Sequence, residues 1–360
     1  MIQFEKRPEP SRRVLIAVPF VAVILSVIGS SLFLLLIGRN PGAAMYSFFI
    51  APFESFYSIT EIAMKFGPLL LIAQALAVGF RAKVWNIGAE GQMIVGAIAA
   101  SALPVFYSDS TSPLMLPAMI LCGIAGGMAW AAIAAILRTR FNASEILVTL
   151  MLNSVAIQLL YYLVLGPWKD PMGFNFPQSV MFPEAALFPV LFPGMRLNLS
   201  IFLPLIFTVV IWVVMQRRFE GYKLVVSGLA PEAAAYAGFN SRAAIWFSLL
   251  LAGGAAGLAG MSEVAGPIGQ LQRSITSGYG YSAIIVAYLG ALHPIGICFA
   301  ALLLAVISIG GDIALVSANV PIAAVRVFQG MLLVFYLAAY TFVSYRIHRP
   351  HTASRTGDTA

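Results

Sequence analysis

Asn86, Glu90 and Gln92 fall within the seven residues NIGAEGQ, between two apolar runs. A carboxylate and two primary amides are hydrogen-bonding groups that hydrocarbon cannot satisfy, and an ionisable side chain at such depth marks a functional site by default. Gly88 and Gly91 flank Glu90 and let the chain turn where other residues cannot. Non-helical backbone inside a membrane is tolerated only against protein or a water-filled cavity. The chemistry open to this set is recognition of a polar solute. The alternative is that Glu90 pairs with Arg81 or Lys83 at the water interface, and residue types alone leave both open. Asn153, Gln158, Gln270, Gln272 and Gln329 complete the candidate pathway set, although an amide in a membrane bundle serves equally well as an interhelical hydrogen bond. Tyr279, Tyr281 and Phe328 are candidates to stack on a ring. Glu145 reads as a charge at a helix N-terminus, and Asp312 and Arg326 as a structural pair beside a turn.

Catalytic chemistry finds little support. Nucleotide hydrolysis at a P-loop needs Gly-Lys followed by Ser or Thr, so that backbone amides and the lysine hold the phosphates. No Gly-Lys pair occurs in the chain. Cys122 and Cys298 lie in separate apolar runs, and His293, His348 and His351 form no ligand set, so neither a disulfide framework nor a metal centre is expected.

The elements that carry these residues are membrane helices. Of the 360 residues, 60% are hydrophobic and only 10% charged, with a mean hydropathy of +0.91. A soluble domain carries about 25% charged residues. A spanning helix needs about 20 apolar residues to cross about 30 Å of hydrocarbon. Runs 14–38, 113–137, 146–168, 197–215, 243–262 and 327–345 qualify without a charge, and 66–80 and 91–108 are shorter candidates. The uncharged run 274–311 is too long for one span and is divided at His293-Pro294, because proline breaks a helix. The expected fold is all-α: a polytopic bundle of about ten transmembrane helices over residues 14–345, with the first span retained rather than cleaved as a signal.

Lys and Arg favour cytoplasmic loops. With the N-terminus inside, 15 of the 21 fall on the inner side and 6 on the outer, so both termini are expected in the cytoplasm. The net charge of +7 follows from this topology and needs no nucleic-acid partner. Polar basic tails occupy 1–13 and 346–360. The proline-rich segment 167–196 is the largest outer loop, either a connector or a cover for the mouth. Asn86–Gln92 and 264–270 (VAGPIGQ) are glycine-rich breaks five spans apart, as in an inverted repeat.

The largest inner loop, 216–242, contains APEAAAYAG. Pro231 and Glu232 suit a helix start, Ala233, Ala234 and Ala235 sustain it, and Gly238 stops it. Two turns are too few to be stable alone, so this helix is expected to dock on a partner.

VWNIGAEGQMIVGA resembles the signature of permease subunits of ABC importers in the branched-chain amino acid, simple-sugar and nucleoside group. FNASEILVTLMLN, GLAPEAAAYAGF and AYLGALHPIGI extend the resemblance, in order, across residues 60–340. The full NIGAEGQ form is most similar to nucleoside-type permeases. The resemblance implies a transport subunit without a cofactor of its own, in a bacterial or archaeal plasma membrane. It implies three partners: an ATPase subunit with two nucleotide-binding domains, a second, distinct permease, and an extracytoplasmic solute-binding protein. Pro231, Glu232, Ala233, Ala234, Tyr236 and Gly238 match the coupling helix that docks on the ATPase, although the three alanines depart from relatives that carry an arginine there. The solute implied is a nucleoside, with simple sugars next. An ion-coupled secondary transporter is the rival; it would favour an intramembrane carboxylate, and Glu90 is the one candidate for that role.

Overall fold

A computed structural model describes the backbone of residues 3–6 and 12–348 and the side chains of 17–343. The elements are β1 (Gln3–Lys6), α1 (Arg12–Leu36), α2 (Pro41–Phe49), α3 (Phe56–Arg81), α4 (Ala89–Phe106), α5 (Met115–Phe141), α6 (Glu145–Leu165), α7 (Phe202–Arg217), α8 (Phe219–Leu229), α9 (Pro231–Tyr236), α10 (Ser241–Glu263), α11 (Tyr279–Leu289), α12 (Pro294–Ser317), α13 (Ile322–Ser344) and β2 (Tyr345–His348). Nine helices among the described residues are long and apolar enough to span a membrane.

The expected eighth span is different. Residues 274–293 form an irregular segment followed by the eleven-residue α11. Eleven residues rise about 16 Å, half the thickness of the hydrocarbon core. The stretch before it, rich in Ser, Thr and Gly, is poor helix material. α10 ends in a π turn over Val264–Ile268, and Gly269 follows at φ +74°. With the broken segment counted beside these nine helices, the described residues hold the ten segments expected. β1 and β2 pair antiparallel, which brings the two ends of the described chain to one face. Most of the two expected tails lies outside the described residues. Arg81, Arg138, Arg140 and Arg217, in the last turns of α3, α5 and α7, lie on that same face, here called the basic face.

Charge-free runs understate α3, which begins before Glu61 and Lys65. Both charges are met by protein: Glu61 pairs with Arg196 at 3.7 Å, and the Lys65 ammonium lies 5.3 Å from the Tyr279 ring centre. The centre of the bundle is α4, α5 and α10, packed on small residues. A Cβ at Gly257 of α10 would lie 2.1 Å from the Gly123 carbonyl oxygen of α5, so only glycine lets these backbones approach.

Candidate functional site

Two interrupted stretches meet inside the bundle. The first is 82–88, between α3 and α4. The Asn86 Oδ1 accepts from the Gly88 N–H at 2.9 Å, and Asn86 and Gln92 exchange amide hydrogen bonds at 2.8 and 3.2 Å. This pair braces the loop on the first turn of α4. α6 grips it from the side. Asn153 accepts from the Gly91 N–H at 2.8 Å and donates to the Ile87 carbonyl and the Tyr281 hydroxyl, both at 3.0 Å. Thr149 accepts from the Ile87 N–H at 3.2 Å.

The second stretch leads into α11. Gly278 caps that helix at φ +89°. The Glu90 carboxylate accepts from the Gly278 N–H at 2.9 Å and the Gly280 N–H at 2.7 Å. It therefore pairs with neither Arg81 nor Lys83. A Cβ at Gly280 would lie 2.2 Å from the Glu90 nitrogen, so the N-termini of α4 and α11 abut. Two positive helix ends converge there, and one buried carboxylate stands between them. Since α11 starts half a membrane thickness from the basic face, Glu90 lies near mid-depth.

A cavity of about 330 Å³ opens beside this junction, lined by Glu90, Ile157, Tyr161, Thr276, Ser277, Gly278, Tyr281, Ser282, Ile285, Arg326, Gln329 and Gly330. A second chamber of about 350 Å³ shares Thr276, Ser277, Ser282, Arg326 and Gln329, and adds Lys65, Ser308 and Asp312. Both volumes suit a small solute. Gln329 accepts from the Ser282 hydroxyl at 3.4 Å and donates to Ser308 at 3.2 Å. The Arg273 guanidinium lies 4.3 Å from the centre of the Tyr161 ring.

The candidate residues thus separate by location. Glu90 and Gln329 line the cavity, and Asn153 stands behind its wall, holding Tyr281. Asn86 and Gln92 satisfy each other. Gln270 and Gln272 engage the segment 167–196: Gln270 donates to the Gln178 side chain at 3.1 Å, and Gln272 bridges Gln178 as an isolated antiparallel pair. Gln158 lies on an exposed face of α6. Among the aromatic candidates Tyr281 reaches the cavity, whereas Phe328 is core, packed between Phe48 and Phe49. Asp312 and Arg326 line one chamber, and no ion pair joins them among the described residues. Glu145 does open α6, paired with Arg138 at 3.1 Å.

Two contributions escape the sequence reading. Glu263, just past the charge-free run that ends at 262, is the last residue of α10 and a second buried carboxylate beside Glu90. The hydroxyl wall comes from SITSGYGYS (274–282). Its density of Ser, Thr and Gly inside an uncharged run is the signal that could have found it.

At the basic face, α8 and α9 form a shelf. α9 is shorter than the predicted two turns and stops as expected at Gly238, φ +78°. Pro231, Glu232, Ala233 and Tyr236 are exposed, Tyr236 at 98%. Ala234 is buried, so it seats the helix on its own bundle rather than presenting it outward.

Residues 58–337 match the family described as branched-chain amino acid transport system / permease component. Among curated proteins the chain is 32% identical to the glucose ABC transporter permease protein TsgB13 of Haloferax volcanii, over 91% of this chain and 89% of the relative. It is 29% identical to the guanosine ABC transporter permease protein NupP of Bacillus subtilis, over 90% and 93%. It is 24% identical to a second guanosine permease protein of that organism, NupQ, over 65% and 75%.

Proposed function

Because this chain belongs to the permease-component family of branched-chain amino acid transport systems, we propose that it forms one half of the translocation pathway of an ABC importer for a nucleoside. The observation that carries the reading is the cavity beside the junction of α4 and α11. Its hydroxyls, the Gln329 amide and the Arg326 guanidinium can bond the ribose and base edges, and Tyr161 and Tyr281 offer faces for the base. The NupP and TsgB13 names support a nucleoside first and a sugar second. The basic face is cytoplasmic by the distribution of Lys and Arg. The exposed side of α9 docks on a separate ATPase subunit, which binds the ATP.

A second permease closes the pathway. Gln158 and Ser154 are exposed a turn apart on α6, and polar groups on a membrane helix are satisfied across a helix interface. Two guanosine permease proteins of one organism both resemble this chain, which supports a distinct partner. An extracytoplasmic binding protein delivers the solute, and alternating access moves it between the faces, the solute biasing the exchange through different affinities for the two states.

The test is uptake of labelled guanosine by cells expressing the whole transporter, with excess nucleoside or glucose as competitor. Competition by nucleosides alone, lost in Gln329→Ala, supports the reading. No guanosine uptake, with uptake of labelled glucose by the same cells, moves the assignment to sugars. Uptake that persists when the ATPase subunit is inactivated removes the ABC mechanism.

A further inference from the structure

The outer loop 167–196 does more than connect α6 to α7. It runs along the break that follows α10. The Ser179 N–H donates to the Leu271 carbonyl at 2.8 Å, and Leu271 returns a bond to the Ser179 hydroxyl at 2.9 Å. The Phe182 N–H bonds Gly269 at 2.9 Å, and the Phe188 N–H bonds Ala265 at 2.8 Å. The backbone left unpaired where α10 unwinds is therefore met by this loop. Five residues beyond Leu271 the chain reaches Thr276 and Ser277 on the cavity wall.

From the point where Gln178 bridges Gln272, the loop projects a short turn. Asp170 and Gln178 close its base through a backbone bond at 2.9 Å, and the Asp170 carboxylate accepts from the Met172 N–H at 2.9 Å. Phe174 and Asn175 hold positive φ at +47° and +69°. The turn is thus internally bonded, and its side chains are Met172, Phe174 and Phe176, exposed at 84%, 93% and 64%. Burying a side chain of this size is favourable by about 1.5–3 kcal/mol, so such a tip has much to gain from a partner. Aromatic residues and Met are enriched where proteins meet, and a turn already ordered loses little entropy on docking.

We propose that this apolar tip is the docking point for the extracytoplasmic solute-binding protein, and that the loop behind it transmits docking to the cavity wall. The inference rests on the importer reading above. What argues for this occupant is position. The tip stands on Gln272, six residues before the Gly278 cap at the Glu90 junction, so a protein seated on it sits beside the cavity mouth, where a delivered solute must enter. The ladder from 178 to 188 then makes the tip and the wall one connected strip.

The experiment uses the full-length permease with its partner subunits in nanodiscs, and as probe the purified binding protein that supports uptake through it in cells. Replacing Met172, Phe174 and Phe176 together by Ser removes exposed side chains, so thermal stability and pairing with the second permease are expected to stay at wild-type values. Binding-protein affinity is expected to fall roughly tenfold or more, the loss typical of an interface anchor. Wild-type affinity in that variant overturns the docking role. Loss of pairing with the second permease also overturns it, since the tip is then a permease contact. If no binding protein associates with the wild type, the importer reading fails and takes the inference with it.

A second variant tests transmission. Cα atoms across an antiparallel bridge lie about 4.5–5.5 Å apart, within disulfide range. Gln178→Cys with Gln272→Cys, in a Cys122→Ser, Cys298→Ser background, staples loop to break. Oxidation is expected to leave binding-protein affinity unchanged and to stop uptake, with recovery on adding reductant. Uptake at the wild-type rate in the oxidised form overturns the transmission step.

Discussion

Glu90→Gln isolates the electrostatics of the α4–α11 junction, because the amide has nearly the shape of the carboxyl. Both Glu90 oxygens accept from backbone N–H groups, at 2.9 and 2.7 Å, and neither donates. That pattern suits the ionised form, whose two oxygens are both acceptors. Glutamine keeps one acceptor and turns an NH2 toward the other N–H, so one bond becomes a donor–donor contact. A hydrogen bond to a charged group contributes about 1.5–3 kcal/mol. The charge at a partly buried helix terminus contributes up to about 2 kcal/mol more. The expected loss is roughly 3 kcal/mol. At about 2–4 °C per kcal/mol for a large domain, the thermal midpoint should fall on the order of 5–10 °C. The assay is thermal unfolding of the reconstituted protein, read by tryptophan fluorescence, with solute uptake measured on the same preparations. Glu90→Asp keeps the charge but is one carbon shorter and cannot span both amides, so its midpoint should fall between those of wild type and Glu90→Gln. A Glu90→Gln midpoint within about 1 °C of wild type would refute the reasoning, because a neutral carboxyl donating a proton would be mimicked by the amide.

Gly257→Ala should lower stability by about 1–3 kcal/mol, the cost of overpacking, since its Cβ would lie 2.1 Å from the Gly123 oxygen. Gly330→Ala, which lies inside α13 and meets nothing within 4 Å, serves as the control and should leave the midpoint unchanged or slightly raised. Tyr236→Ala should leave unfolding unchanged while reducing solute-stimulated ATP hydrolysis by the assembled transporter. Ala234→Trp should destabilise the shelf, because that side chain faces inward; equal midpoints for the two variants would contradict the orientation of α9. His293 lies in the turn before α12, its Nε2 3.0 Å from the Gln216 Nε2. Burial, and then the neighbouring Arg81, hold its imidazole below the ordinary value. Its contribution is therefore present above the unfolded pKa of about 6.5 and lost as pH falls through the folded one. His293→Gln should flatten the dependence of the midpoint on pH between about 7 and 5, as differential scanning would record.

Hydropathy is a local sum, so it located most of the spans from the sequence alone. Where helices end was less legible. Lys65 and Glu61 truncated α3 in the sequence reading because a charge-free run cannot know that Arg196 and Tyr279 wait for them across the fold. The amides were legible as polar groups in oil but not as a sorted set. Gln329 faces a cavity, Gln158 faces outward and Gln270 meets a loop, and only the packing of their elements separates these fates.

By itself the sequence determined the class, the approximate spans, the break at NIGAEGQ and the short helix closed by Gly238. Composition, periodicity and backbone preference act within a few residues, and these features need nothing more. Only the tertiary structure decided that the eighth crossing is half a helix, that the outer loop pairs with the break after α10, and that Glu90 finds its partners 188 and 190 residues away. Those outcomes depend on which unsatisfied amide meets which acceptor once the helices have packed, and in a membrane every such group must find one.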